Sequence, residues 1–152
     1  MNYIGQLGMG LALGLAAVGS ALGIGAAGRA AAGAWAKEAK EGRQLDFKYI
    51  ILIGMPLTQT LYAFLLLFVG LSQAVYDPAV LLPNSMALLG IGLGCGLGEL
   101  FSAYLQGQIG AAGIRCMSEG QGKGLLFIIM AMGIVETVGL LTFVFLWLRL
   151  PA

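Results

Sequence analysis

Charge in this chain is almost confined to short connections, and the stretches between them are long. Residues 1–28, 49–76, 78–98 and 124–135 contain no Asp, Glu, Lys or Arg. Only 10% of the sequence is charged, against about 25% in soluble domains. About 20 apolar residues suffice to cross a bilayer as a helix. In lipid the backbone must satisfy its own polar groups, so charge-free segments of this length read as helices even where they are rich in glycine. Four spans are predicted, roughly 3–36, 47–74, 84–117 and 122–149. The expected fold is an all-α membrane protein with four transmembrane helices arranged as two tandem helical hairpins, 1–78 and 79–152.

The connections carry the charge. Arg29, Lys37, Lys40, Arg43 and Lys48 gather around the first loop with Glu38, Glu41 and Asp46 among them. Arg115 and Lys123 flank the third loop, and the second holds only Asp77. Lys and Arg favour the cytoplasmic side. Loops 37–46 and 118–123 are therefore expected in the cytoplasm, with both termini and the second loop outside, in a multi-pass protein of the cell membrane. Pro78 and Pro83 fit a turn between the hairpins. No Lys or Arg precedes the first apolar run. The basic region of a cleaved leader is missing, so a leader is not expected. Cys95 and Cys116 fall on one predicted helix about 30 Å apart, too far to pair within the chain.

The chain repeats itself. Gly25-Ala-Ala-Gly28 in the first span recurs as Gly110-Ala-Ala-Gly113 in the third. Gly54-Met-Pro-Leu-Thr-Gln-Thr60 in the second aligns with Ala131-Met-Gly-Ile-Val-Glu-Thr137 in the fourth, which sets Gln59 opposite Glu136. Both hairpins start on the same side, so the duplication is parallel rather than inverted. Glycines at 90, 92, 94, 96 and 98 alternate in the third span, and the first is similarly rich. Small residues let helix backbones approach closely. A single helix contact needs one such face, whereas here they occupy much of the circumference. This predicts a crowded inner cylinder of first and third spans, with Gly94 and Gly96 facing a neighbouring chain. The bulkier second and fourth spans would form the lipid-facing layer.

Glu136 sits near the middle of a segment, 124–148, that holds no other charge. A carboxylate there costs roughly 3 kcal/mol on insertion scales. Hydrogen bonding alone could be served by glutamine, so the carboxylate points to an ion or a proton. Thr58, Gln59 and Tyr62 share one face of the second span, with Met55 a turn earlier. Pro56 lacks an N–H and loosens the helix there, and simple helix geometry frees the Leu52 carbonyl. Gln106 and Glu136 each lie about 18 Å along their helices from the same membrane side, so their depths match. Hard cations take oxygen ligands. One carboxylate neutralises one monovalent cation, and two glutamines with a threonine exceed what a proton requires. This set favours sodium. Ser102 and Thr137 read as residues bonding their own backbone. Glu99, seven residues before Gln106, is expected near the outer interface or in a wet lumen, and not as an ion ligand.

These residues carry a resemblance. Pro56-Leu-Thr-Gln-Thr-Leu-Tyr62 is similar to a Pro-x-Thr-Gln-x-x-Tyr stretch of the duplicated membrane-rotor proteolipid, the K subunit, of bacterial sodium-translocating V-type (vacuolar/archaeal-type) ATPases. Leu105-Gln-Gly-Gln-Ile-Gly-Ala-Ala-Gly-Ile114 and Val135-Glu-Thr137 extend it, and it covers essentially the whole chain. The resemblance implies sodium bound by the side chains of Thr58, Gln59, Gln106 and Glu136 and by the Met55 backbone oxygen, with Tyr62 supporting Glu136. It implies a homo-oligomeric ring in membrane lipid, turning against a stator membrane protein that bears an arginine and coupled to the central-stalk subunits. It also implies a non-catalytic role, and no phosphate-binding loop is present in the sequence. No nucleic-acid partner is expected. Two alternatives stay open at this level: the same ring coupled to protons, and a non-rotary four-helix transporter.

Overall fold

The computed structural model describes residues 3–151, and all regular structure among them is helical. Four helices are long and apolar enough to cross a membrane: α1 (Ile4–Lys40), α2 (Tyr49–Tyr76), α3 (Pro78–Glu119) and α4 (Leu125–Trp147). The α1–α2 and α3–α4 loops lie at one end of the bundle, here called the loop end. The α2–α3 turn, the start of α1 and the end of α4 lie at the other.

The third helix begins earlier than its sequence suggests. Pro78 is its first residue, where a missing N–H costs nothing, and Asp77 caps it by accepting the Ala79 N–H at 2.8 Å. Pro83 lies inside α3 rather than in a turn. The connection is therefore one residue long, and the predicted start at residue 84 is corrected to 78. At the loop end, α1 runs on to Lys40 and α3 to Glu119, so the first loop is shorter than predicted. Glu38, expected among the loop charges, is buried and accepts from the Tyr49 hydroxyl and the Asp46 N–H. The two loops are tied together as well: Arg43 donates to the Ser118 carbonyl and Lys48 to the Gly122 carbonyl, both at 3.3 Å.

Glycine sets how closely α1 and α3 approach. A Cβ on Gly19 would stand 2.4 Å from the Leu100 backbone, and one on Gly107 would stand 2.1 Å from Gly23. Gly8 meets Leu88, and Gly92 meets Gly8, in the same way. The two helices thus touch backbone to backbone within one chain. Gly96 belongs to this internal seam, against Leu11, and Gly94 faces the Leu146 side chain of α4. Neither presents the open face expected of it. The glycines with open space around them include Gly10, Gly14, Gly28 and Gly33 on α1 and Gly90 on α3.

The fourth helix packs on α3 and leaves most of its surface bare. Phe127, Ile134, Val138 and Phe145 are all exposed, which suits a lipid-facing position. Its inner face fits against small residues of α3: Ile128 over Gly113 and Met132 over Gly110.

Two apolar clusters fill the interior. One, toward the loop end, includes Ala27, Tyr49, Leu52, Ile114, Met117 and Met132. The other, toward the far end, includes Ala12, Leu66, Leu71, Val75, Leu88 and Cys95. Between them lies a buried polar layer of Gln59, Glu99, Ser102 and Gln106. Overpacking a tight core costs about 1–3 kcal/mol, so Gly19→Ala should destabilise the protein by that order in denaturant unfolding in detergent. Gly14→Ala, with open space around it within the chain, should leave the unfolding midpoint of the dissociated single chain in place. Equal effects of the two would contradict the α1–α3 seam.

Candidate ion-binding site

The site is built around a defect in α2. Pro56 interrupts the α-helix after Gly54, and Met55–Leu57 form a single 3-10 turn before the helix resumes at Thr58. The tighter turn brings the Met55 carbonyl toward Thr58, whose hydroxyl donates to it at 3.0 Å. The same hydroxyl lies 3.1 Å from Gln59 Oε1. The Met55 carbonyl and Gln59 Oε1 thus both stand within hydrogen-bond distance of one hydroxyl. The Leu52 carbonyl, the other candidate backbone oxygen, instead faces α3: a Cβ on Gly110 would stand 3.1 Å from it.

A chain of side-chain contacts crosses from α2 through α3 to α4. Gln59 Nε2 donates to Gln106 Oε1 and to Ser102 Oγ, each at 3.1 Å. Gln106 Nε2 donates to Glu136 Oε2 at 3.0 Å and to the Met132 carbonyl at 3.2 Å. The Tyr62 hydroxyl donates to the other Glu136 oxygen at 3.1 Å. Tyr62 is held in turn by stacking on Phe143, with ring centroids 5.8 Å apart. Gln59 and Gln106 are fully enclosed, while Glu136, Thr58 and Tyr62 are half-buried. The carboxylate therefore sits at the lateral edge of the polar layer, and the amides form its inner wall.

The structure brings together every residue singled out for this site: Met55 through its carbonyl, Thr58, Gln59, Tyr62, Gln106 and Glu136. Chemically the group is one carboxylate beside neutral oxygens from a carbonyl, a hydroxyl and two amides. Two N–H or O–H donors, on Gln106 and Tyr62, hold the carboxylate.

Two residues depart from the sequence reading. Ser102 does not bond its own helix; it donates to the Val135 carbonyl of α4 at 3.0 Å and accepts from Gln59. Its spacing of four residues before Gln106 places both on one helical face, the signal that could have marked it. Thr137 does bond its own helix, at the Gly133 carbonyl. Glu99 lies neither at an interface nor in a lumen: it is 0% exposed, enclosed between α3 and α4 against Gly139. Gly139 has no side chain there, which leaves room for the carboxyl.

The sequence profile of the ATP synthase C subunit matches residues 7–69 and again residues 89–148. The chain belongs to the ATP synthase C-subunit family. The double match means that it carries two copies of the family's repeat, as in a duplicated c subunit. No curated protein matches it. Members of this family are non-catalytic proteolipids that form homo-oligomeric rotor rings in the membrane and work against the stator a subunit. The first matched segment contains Thr58, Gln59 and Tyr62 and the second contains Ser102, Gln106 and Glu136, so the polar layer is shared between the two.

Replacing Tyr62 with Phe keeps the stacked ring and removes only the donor to Glu136. Glu136 Oε1 then loses its phenolic partner and is more open to an attacking reagent. Carbodiimide, which attacks protonated carboxyls, should therefore modify Glu136 faster in Tyr62→Phe than in wild type at the same pH. An unchanged or slower rate would contradict the contact.

Proposed function

We propose that this chain is the duplicated rotor proteolipid, the K subunit, of a V-type ATPase or synthase, and that it carries sodium. The observation that carries the reading is the donor set. The Met55 carbonyl and Gln59 Oε1 stand 3.0 and 3.1 Å from Thr58 Oγ1, and the bridging amide of Gln106 joins Gln59 to Glu136. A proton needs a carboxylate and one partner. A monovalent hard cation needs several neutral oxygens and a single negative charge, and this site supplies both.

On this reading, each hairpin, 1–78 and 79–152, is one ancestral unit, and Gln59 stands where a second carboxylate would be. The chain then carries one ion per four helices. Without its ion, Glu136 is stabilised by Tyr62 and Gln106. On loading, the cation takes the place of the Gln106 N–H at the carboxylate, and the hydrogen-bonded amides of Gln59 and Gln106 reorient together. The loaded site is neutral, so it can travel around the ring facing lipid without the cost of a bare charge. Beside a stator arginine the carboxylate gains a competing cation and releases its ion. The basic loop end faces the cytoplasm and the central stalk, and both termini face outward, in line with the bias of Lys and Arg toward the cytoplasmic side.

Carbodiimide labelling tests the ion. A carboxylate holding sodium cannot take the proton the reaction needs, so sodium should protect Glu136 at fixed pH where matched potassium does not. Thr58→Ala and Gln106→Leu should each weaken that protection, because each removes a neutral oxygen. Glu136→Gln should abolish labelling and transport. If sodium protects no better than potassium, the ring is proton-coupled and the amides are hydrogen-bond partners only.

A further inference from the structure

Glu99 is a buried carboxyl of the membrane interior that the ion site does not use. It is 0% exposed, and neither of its oxygens has a hydrogen-bond partner. The space around it is specific. A Cβ on Gly139 would come within 2.6 Å of Glu99 Oε2 and 2.9 Å of Ser102 Oγ. The missing side chain at residue 139 is therefore what admits the carboxyl, beside a hydroxyl that already spans α3 and α4. Ser102 accepts from Gln59, Gln59 donates to Gln106, and Gln106 donates to Glu136. Glu136 ends this hydrogen-bonded chain, and Glu99 stands beside it, bonded to none of its members.

We propose that Glu99 is a proton-binding site separate from the ion site, whose proton stays in place between α3 and α4 while Glu136 exchanges its ion. An ionised carboxylate in an apolar interior, without a counter-ion or a donor, is strongly unfavourable, and such a group takes a proton instead. The groups facing Glu99 supply no positive charge. On α3 these are Cys95 and Ser102, each within about one turn, and the first basic residue along that helix is Arg115, about 24 Å away. On α4 they are Gly139 and, one turn from it, Glu136, which is itself acidic; Tyr62 of α2 donates to Glu136. On α1 the first basic residue past the Gly19–Leu100 contact is Arg29, about 15 Å along the helix. Sodium is a poor occupant, because Ser102 is the neighbouring side-chain oxygen and it already accepts one hydrogen bond and donates another. A proton needs no such shell. The resident proton keeps the interior free of a second negative charge, so the charge balance of the polar layer is set by Glu136 alone.

Infrared spectroscopy of rings assembled from Glu136→Gln chains in lipid tests this, because that variant leaves Glu99 as the one carboxyl at the level of the polar layer. At neutral pH the spectrum should contain the carbonyl stretch of a protonated carboxyl. Glu99→Gln in the same background should remove it. Glu99→Asp should shift the band rather than remove it, and serves if the double glutamine variant fails to assemble. A Glu136→Gln ring with no protonated-carboxyl band, or one whose band ignores changes at residue 99, would overturn the proposal. Glu99→Gln alone mimics the neutral acid and should retain most transport. Loss of transport to the level of Glu136→Gln, in an intact ring, would show that the charge at residue 99 is required, and would also overturn it. The spectrum involves no sodium, so its outcome is separate from the identity of the ion at Glu136.

Discussion

A carboxylate in the interior of a bilayer has no water to turn to, and much of this structure follows from that. Glu136 lies in a helix whose other residues are almost all apolar and whose outer surface is bare. Its charge has to be met by neighbours within the chain or by an ion. Tyr62 and Gln106 supply the donors, and each is held in its own way. Tyr62 is stacked on Phe143, and Gln106 is anchored to the Met132 carbonyl and to Gln59. The hydrogen bonds of the polar layer run unbroken from Ser102 through Gln59 and Gln106 to Glu136, since a half-satisfied network in a low-dielectric interior is costly, and Glu99 alone of that layer stands outside them.

That layer exists only because the helices come close enough for short side chains to bridge them. Gly23 and Gly107 bring α1 and α3 into backbone contact beside Pro56. Gly139 lets α4 settle over Glu99 and Ser102. Larger residues at these points would push the helices apart, and the amide-to-amide and amide-to-carboxylate distances near 3 Å would open. Glycine is poor in a soluble helix, but in lipid it is the residue that permits close approach. The glycines still open on α1 and α3 are where the same chemistry can act between copies of a ring.

Much of this is legible in the sequence. Charge-free stretches mark the helices, because lipid leaves the backbone few alternatives. The Pro-Leu-Thr-Gln stretch, Gln106 and Glu136 fall at one level by counting rise along helices that start from the same side. The sequence does not say which glycines face within the chain and which face outward, because small residues line several sides of α1 and α3; Gly96 is misplaced for that reason. Ser102 escapes notice because serine in a membrane helix so often bonds its own backbone. Glu99 reads as a residue near water because no partner for it is visible in the sequence, and its enclosure depends on a glycine forty residues away on α4. The extent of α3 is misjudged at Pro83, which removes the N–H that would reach the Ala79 carbonyl and so reads as a break, although the helix runs on through it.

The central claim is that one carboxylate and a set of neutral oxygens in each chain bind one sodium ion. Equilibrium binding of radioactive sodium to the purified, lipid-reconstituted ring, counted per chain and competed with potassium and with acid, tests it most directly. The account predicts one sodium per chain, displaced by acid but not by matched potassium, and none in the Glu136→Gln ring. Absence of sodium binding in the wild-type ring, or binding that survives Glu136→Gln, would contradict it.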